Sequence, residues 1–106
     1  MTSTTAQSLA EMAPVRPGEI VTRLLCRAPG GSVAVFAFAQ GEELAEHATP
    51  RQALVVVTDG TLDVTVEGQT HAVRAGDVIP LPAGAPHSVR AQTDARMLLV
   101  LLQADG

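Results

Sequence analysis

With 106 residues, 46% of them hydrophobic, the chain has material for one small core and little room for a second domain. A net charge of -4, seven Arg with no Lys, and the lack of Trp and Tyr argue against a nucleic-acid surface, which needs a basic face and stacking aromatics, and weaken a sugar-binding reading. No apolar run approaches a membrane span and the N-terminus lacks the basic and apolar regions of a secretory leader, so the expected setting is the cytoplasm, with neither membrane nor nucleic acid as partner.

Residues 1–17 are polar, Ala-rich and closed by Pro14 and Pro17; they are expected to form a mobile N-terminal arm, with at most a helical turn or two over Thr4 to Met12. The pattern then changes to short β-rich runs punctuated by turn residues. Predicted strands are Ile20 to Cys26, Ser32 to Ala39, Ala53 to Val57, Leu62 to Val66, Gln69 to Val73, Val78 to Leu81, Ser88 to Ala91 and Arg96 to Leu102. Eight strands at this cadence suit a sandwich or barrel over residues 18–106.

Leu62 to Val66 alternates, Glu67-Gly68 turns, and Gln69 to Arg74 returns, which specifies a hairpin with one wet face; His71 lies on it and is read as surface. Leu54 to Val57 and Met97 to Leu102 are apolar on both faces, which requires cover on both sides. One face would be the barrel interior and the other a second copy of the chain, giving a homodimer. Phe36 and Phe38 alternate on an apolar strand and are assigned to the core rather than to a ligand platform. Cys26, the single cysteine, excludes an internal disulfide and is read as a buried structural thiol, and Glu42, Glu43 and Glu46 as a solvated loop.

The run Gly76-Asp-Val-Ile-Pro-Leu-Pro82-Ala-Gly84-Ala-Pro-His87 has the spacing G-x5-P-x-G-x2-H, and its turn residues flank a short apolar strand. This spacing resembles the second signature of the cupin family. Upstream, Gly41 to Gly60 fits the first signature, G-x5-H-x-H-x3-E-x6-G, at Gly41, His47 and Gly60, with Thr49 in place of the second His and Ala53 in place of the Glu. The resemblance covers about residues 18–103. It implies a small antiparallel jelly-roll barrel, all-β.

The resemblance also implies that His47, Thr49, Ala53 and His87 stand at the four positions that hold a divalent metal in metal-dependent cupins. Only His47 and His87 are ligands, whereas iron or manganese sites want at least two His and a carboxylate, and zinc sites three protein ligands. No cofactor is therefore expected beyond a weakly held divalent metal on the two His. Three functions remain open: binding of a small, apolar molecule in an aliphatic barrel; an enzyme of dioxygenase or isomerase type with a reduced ligand set or a His base; and an oligomer-forming protein with a vestigial pocket. The inward-capable positions for the first are Val55, Val57, Val89, Leu99 and Leu101.

Overall fold

The structure, a computed structural model, describes residues 4–103. After a short helix, α1 (Leu9–Met12), come nine strands: β1 (Ile20–Ala28), β2 (Gly31–Phe38), β3 (Glu43–His47), β4 (Ala53–Asp59), β5 (Thr61–Val66), β6 (Gln69–Arg74), β7 (Val78–Leu81), β8 (His87–Ala91) and β9 (Ala95–Leu102). They form a five-stranded sheet, β1-β2-β9-β4-β7, and a four-stranded sheet, β3-β8-β5-β6, antiparallel throughout. The expected all-β jelly roll is present. The additional strand is β3, whose residues Glu43 and Glu46 are exposed but on a strand rather than in a loop.

Period-two alternation sends one set of side chains between the sheets. Ala53, Val55 and Val57 of β4, Leu62 and Val64 of β5, and Val89 and Ala91 of β8 are buried there with Phe38, Leu81 and Met97. Two turns fix the register. Glu67 and Gly68 both have positive φ, the geometry of the tight two-residue turn that matches strand twist, and Val66 pairs directly with Gln69 across it. Gly60, between β4 and β5, has φ +71°, and a Cβ there would collide with the backbone carbonyl of Asp94, so the close of the first signature is fixed by sterics.

Within segment 4–17, expected to be a mobile arm, Leu9 to Val15 pack on the large sheet, while residues 1–3 lie outside the described residues. Ala13 is fully buried against Val35 and Ala37, and Leu9 and Val15 add to the same cluster with Val21, Leu25 and Leu98. The polar anchor is Arg96, which leaves β9 on the outer face, donates from Nε to the Ala13 carbonyl at 3.0 Å and pairs with Asp59. The sequence signal was overridden because the polar, Pro-rich composition conceals three apolar contacts that find a ready-made apolar sheet face.

The thiol of Cys26, read as buried, is exposed. β1 is an edge strand, and a register shift between Leu24 and Cys26 breaks its alternation, so an apolar run in sequence does not translate into a buried face. The dual apolar faces of β4 and β9 are also partly accounted for within the chain. Their inner faces fill the barrel and Leu98 is covered by the N-terminal segment, leaving Leu54, Val56 and Val100 half-buried and Leu102 and Val78 exposed. No helix of the described residues is long and apolar enough to cross a membrane.

Replacing Arg96 by Ala removes the Ala13 anchor and should cost about 1.5–3 kcal/mol, the range for a hydrogen bond to a charged donor. Urea unfolding and limited proteolysis would show the loss together with new cleavage before residue 18. Unchanged stability and an unchanged digest would mean that the apolar contacts alone seat the segment.

Candidate functional site

His87 opens β8 and, with Val89 and Ala91, faces the barrel interior. Its partner reaches the same face by an irregularity. Glu43 pairs with Arg90 and Leu44 with Val89, but the next aligned pair is His47 with His87, so β3 carries one extra residue over this stretch. In an unbroken ladder Glu46 would stand opposite His87. The bulge substitutes His47 for it, which is the re-aiming of a side chain that bulges provide.

The two imidazoles meet edge to face, with centroids 4.3 Å apart, planes at 66°, and Nε2 atoms 3.2 Å apart. Each ring is held from behind by the carbonyl two residues earlier: His47 Nδ1 lies 3.0 Å from the Ala45 oxygen, and His87 Nδ1 lies 3.1 Å from the Ala85 oxygen. The Ala85 carbonyl is itself positioned by the Pro82-to-Pro86 turn, where Ala85 N–H donates to Pro82 O and Gly84 N–H donates to Thr49 O. The second signature thus builds a turn whose product is an oriented His87.

Behind the pair lies a cavity of about 180 Å³, lined by Phe36, Leu44, Val55, Leu81, Val89, Met97 and Leu99 besides the two His. His87 is buried, whereas His47 is exposed and forms part of the rim. Of the aliphatic positions expected to point inward, Val55, Val89 and Leu99 line this space. Val57 is buried in the core away from it, and Leu101 lines a separate surface depression with Arg27 and Arg51. Phe36, assigned to the core by its alternation, forms a cavity wall, and Phe38 is fully buried. His71 is exposed, at a broader depression along β6 and β7.

Thr49 and Ala53 do not line the cavity. The Thr49 hydroxyl accepts from Arg51 N–H at 3.2 Å within the β3–β4 connection. Ala53 is on the inward face of β4, one inward position from Val55, paired with Leu81 and Leu101. With metal–nitrogen distances of about 2.1 Å, Nε2 atoms this far apart would subtend about 100° at a shared ion, an angle that suits adjacent ligands. The donor set does not fit a tightly held ion, however. Among the described residues no group of three His, Cys, Asp or Glu side chains converges, and the positions of the missing ligands offer a hydroxyl already engaged and a methyl group. Two imidazoles alone meet neither the three protein ligands of zinc nor the His-and-carboxylate set of iron.

Comparison with known proteins agrees with this architecture. The family model described as "Cupin domain" matches residues 34–102. A conserved protein of unknown function from Streptococcus pyogenes superposes with a TM-score of 0.90 at 25% identity, covering 100% of this chain and 93% of that one. A Cupin 2 conserved barrel domain protein from Leptotrichia buccalis gives 0.83 at 37% identity over 88% of this chain and 45% of its own. Among curated proteins, quercetin 2,3-dioxygenase of Bacillus subtilis is 38% identical over 45 residues, which is 42% of this chain but only 13% of that enzyme. On the family match, the two spaced signatures and the nine-stranded double sheet, the chain belongs to the cupin family.

Proposed function

We propose that the barrel reversibly binds a small, largely apolar molecule. The observation that carries this reading is the cavity itself, in which seven apolar side chains and a single pair of imidazoles surround about 180 Å³. An apolar cavity of roughly 150 Å³ holds a benzene-sized guest, so the space suits one ring or a short branched chain. Burial supplies the affinity and the two His supply the polar contact. The arrangement offers little for acid-base chemistry beyond the imidazoles themselves, because the other side chains lining the cavity are apolar and supply no second acid or base.

A second reading, a metal-dependent enzyme of dioxygenase or isomerase type, is supported by the Nε2 spacing and by the local similarity to the Bacillus dioxygenase. It needs ligands that Thr49 and Ala53 do not provide. Elemental analysis of tag-free protein separates the readings: substoichiometric iron, manganese, nickel, copper and zinc are expected, and near-stoichiometric metal would favour the enzyme. Thr49→His with Ala53→Glu should raise divalent-metal affinity by at least tenfold, since it completes a His-and-carboxylate set. No gain with the fold intact would show that these positions do not converge on the His pair.

The binding reading is tested by thermal unfolding with benzene. At ten times its Kd a guest that enters only the folded barrel stabilises it by about 1.4 kcal/mol, and Leu44→Trp, which fills the cavity from β3, should abolish the shift. The absence of a shift in the parent protein would count against a guest of this kind.

The strip left by Leu54, Val56, Val78, Val100 and Leu102 supports a homodimer formed through the large sheet. Sedimentation equilibrium should give twice the monomer mass at micromolar concentration, reduced towards monomer by Val56→Lys. A monomeric parent protein would remove this part of the proposal.

A further inference from the structure

The His pair imposes a condition on what the cavity accepts, and it follows from counting protons. Three close contacts involve the ring nitrogens: Nδ1 of His47 to the Ala45 oxygen, Nδ1 of His87 to the Ala85 oxygen, and Nε2 to Nε2. A carbonyl oxygen only accepts, so each contact needs one N–H, yet two neutral imidazoles carry two between them. If both Nδ1 atoms are protonated, two Nε2 lone pairs face each other at 3.2 Å. If either ring takes the other tautomer, its Nε2–H satisfies the partner's Nε2 but its Nδ1 lone pair then faces a carbonyl. Every neutral arrangement is one donor short, and the missing donor must come from solvent at the exposed His47 rim, from an added proton or from a guest.

Nothing in the wall makes up the deficit. The other lining side chains, Phe36, Leu44, Val55, Leu81, Val89, Met97 and Leu99, bring neither N–H nor O–H. We therefore infer that the site selects small, uncharged, largely apolar molecules bearing one hydroxyl group, whose O–H faces both Nε2 atoms while the hydrocarbon body fills the cavity. The inference rests on the apolar-binding reading above and names the class of guest. Guests whose only polar atom accepts, such as ethers, ketones and aryl halides, set a third lone pair against two others. An ammonium group would supply protons, but no carboxylate lines the cavity to offset the burial of its charge. The volume limits the body to about one six-membered ring.

The test compares phenol, fluorobenzene and benzene by calorimetric titration of chelator-treated protein at pH 7, where a phenol with a pKa of about 10 keeps its proton. Phenol should bind five- to tenfold more tightly than fluorobenzene or benzene, the factor for one net hydrogen bond. The preference should fall in His47→Leu and vanish when His87→Leu is added, with benzene still bound; if the double variant does not fold, the single variant, altered only at the exposed rim, decides. Equal affinities for the three compounds, or a phenol preference untouched in His47→Leu, would overturn the donor requirement while leaving the apolar cavity standing. No binding of any of the three would overturn both readings.

Discussion

A strand sends alternate side chains to opposite faces, so one extra residue in β3 decides whether Glu46 or His47 stands opposite His87. The ladder from Glu43 to Leu44 is regular, and Leu44 enters the cavity wall. Beyond it the chain absorbs a residue, and the carbonyl of Ala45, inside that irregular stretch, becomes the acceptor that orients the His47 ring. Had the ladder continued, a carboxylate would face His87. The register therefore sets two imidazoles against each other in place of an imidazole and a carboxylate, and this is a consequence of register rather than of composition.

The opposite wall is made by β9, the central strand of the large sheet. Its inward residues Met97 and Leu99 close the cavity, and its outward residues Arg96 and Leu98 receive the N-terminal segment. Arg96 is buried, and the burial of its guanidinium is offset by the Asp59 carboxylate and the Ala13 carbonyl, which engage two of its donors. Asp59 ends β4 just before Gly60, so the ion pair, the tight β4–β5 connection and the seat of the N-terminal segment share one corner of the fold. The cavity is thus backed by a strand pinned on its outer surface.

Much of this was legible in the sequence. The strand cadence marks eight of the nine strands, and the G-x5-P-x-G-x2-H spacing locates His87 through turn chemistry present in the fold. Two of the failures share a cause, an irregularity of register. β3 was missed because its five residues include a bulge and only Leu44 follows the apolar alternation. Cys26 was misplaced because β1 is an edge strand with its own register shift. Phe36 was legible as an inward residue, but alternation cannot distinguish a side chain that packs from one that lines a void. The docking of Ala13 depends on a long-range contact to Arg96, for which a polar, Pro-rich stretch carries no local signal.

The physical content of the site is an apolar space of one ring's size under two facing imidazoles, with the remaining metal positions of the family's pattern taken by a hydroxyl engaged in a turn and by a methyl group. Diffraction from xenon-pressurised crystals of chelator-treated protein tests that content most directly, because xenon enters empty apolar cavities and avoids hydrated polar ones. One ordered xenon atom is expected between Phe36, Val55, Leu99 and the His pair. A cavity filled by hydrogen-bonded water, or one collapsed so that no xenon enters, would contradict it.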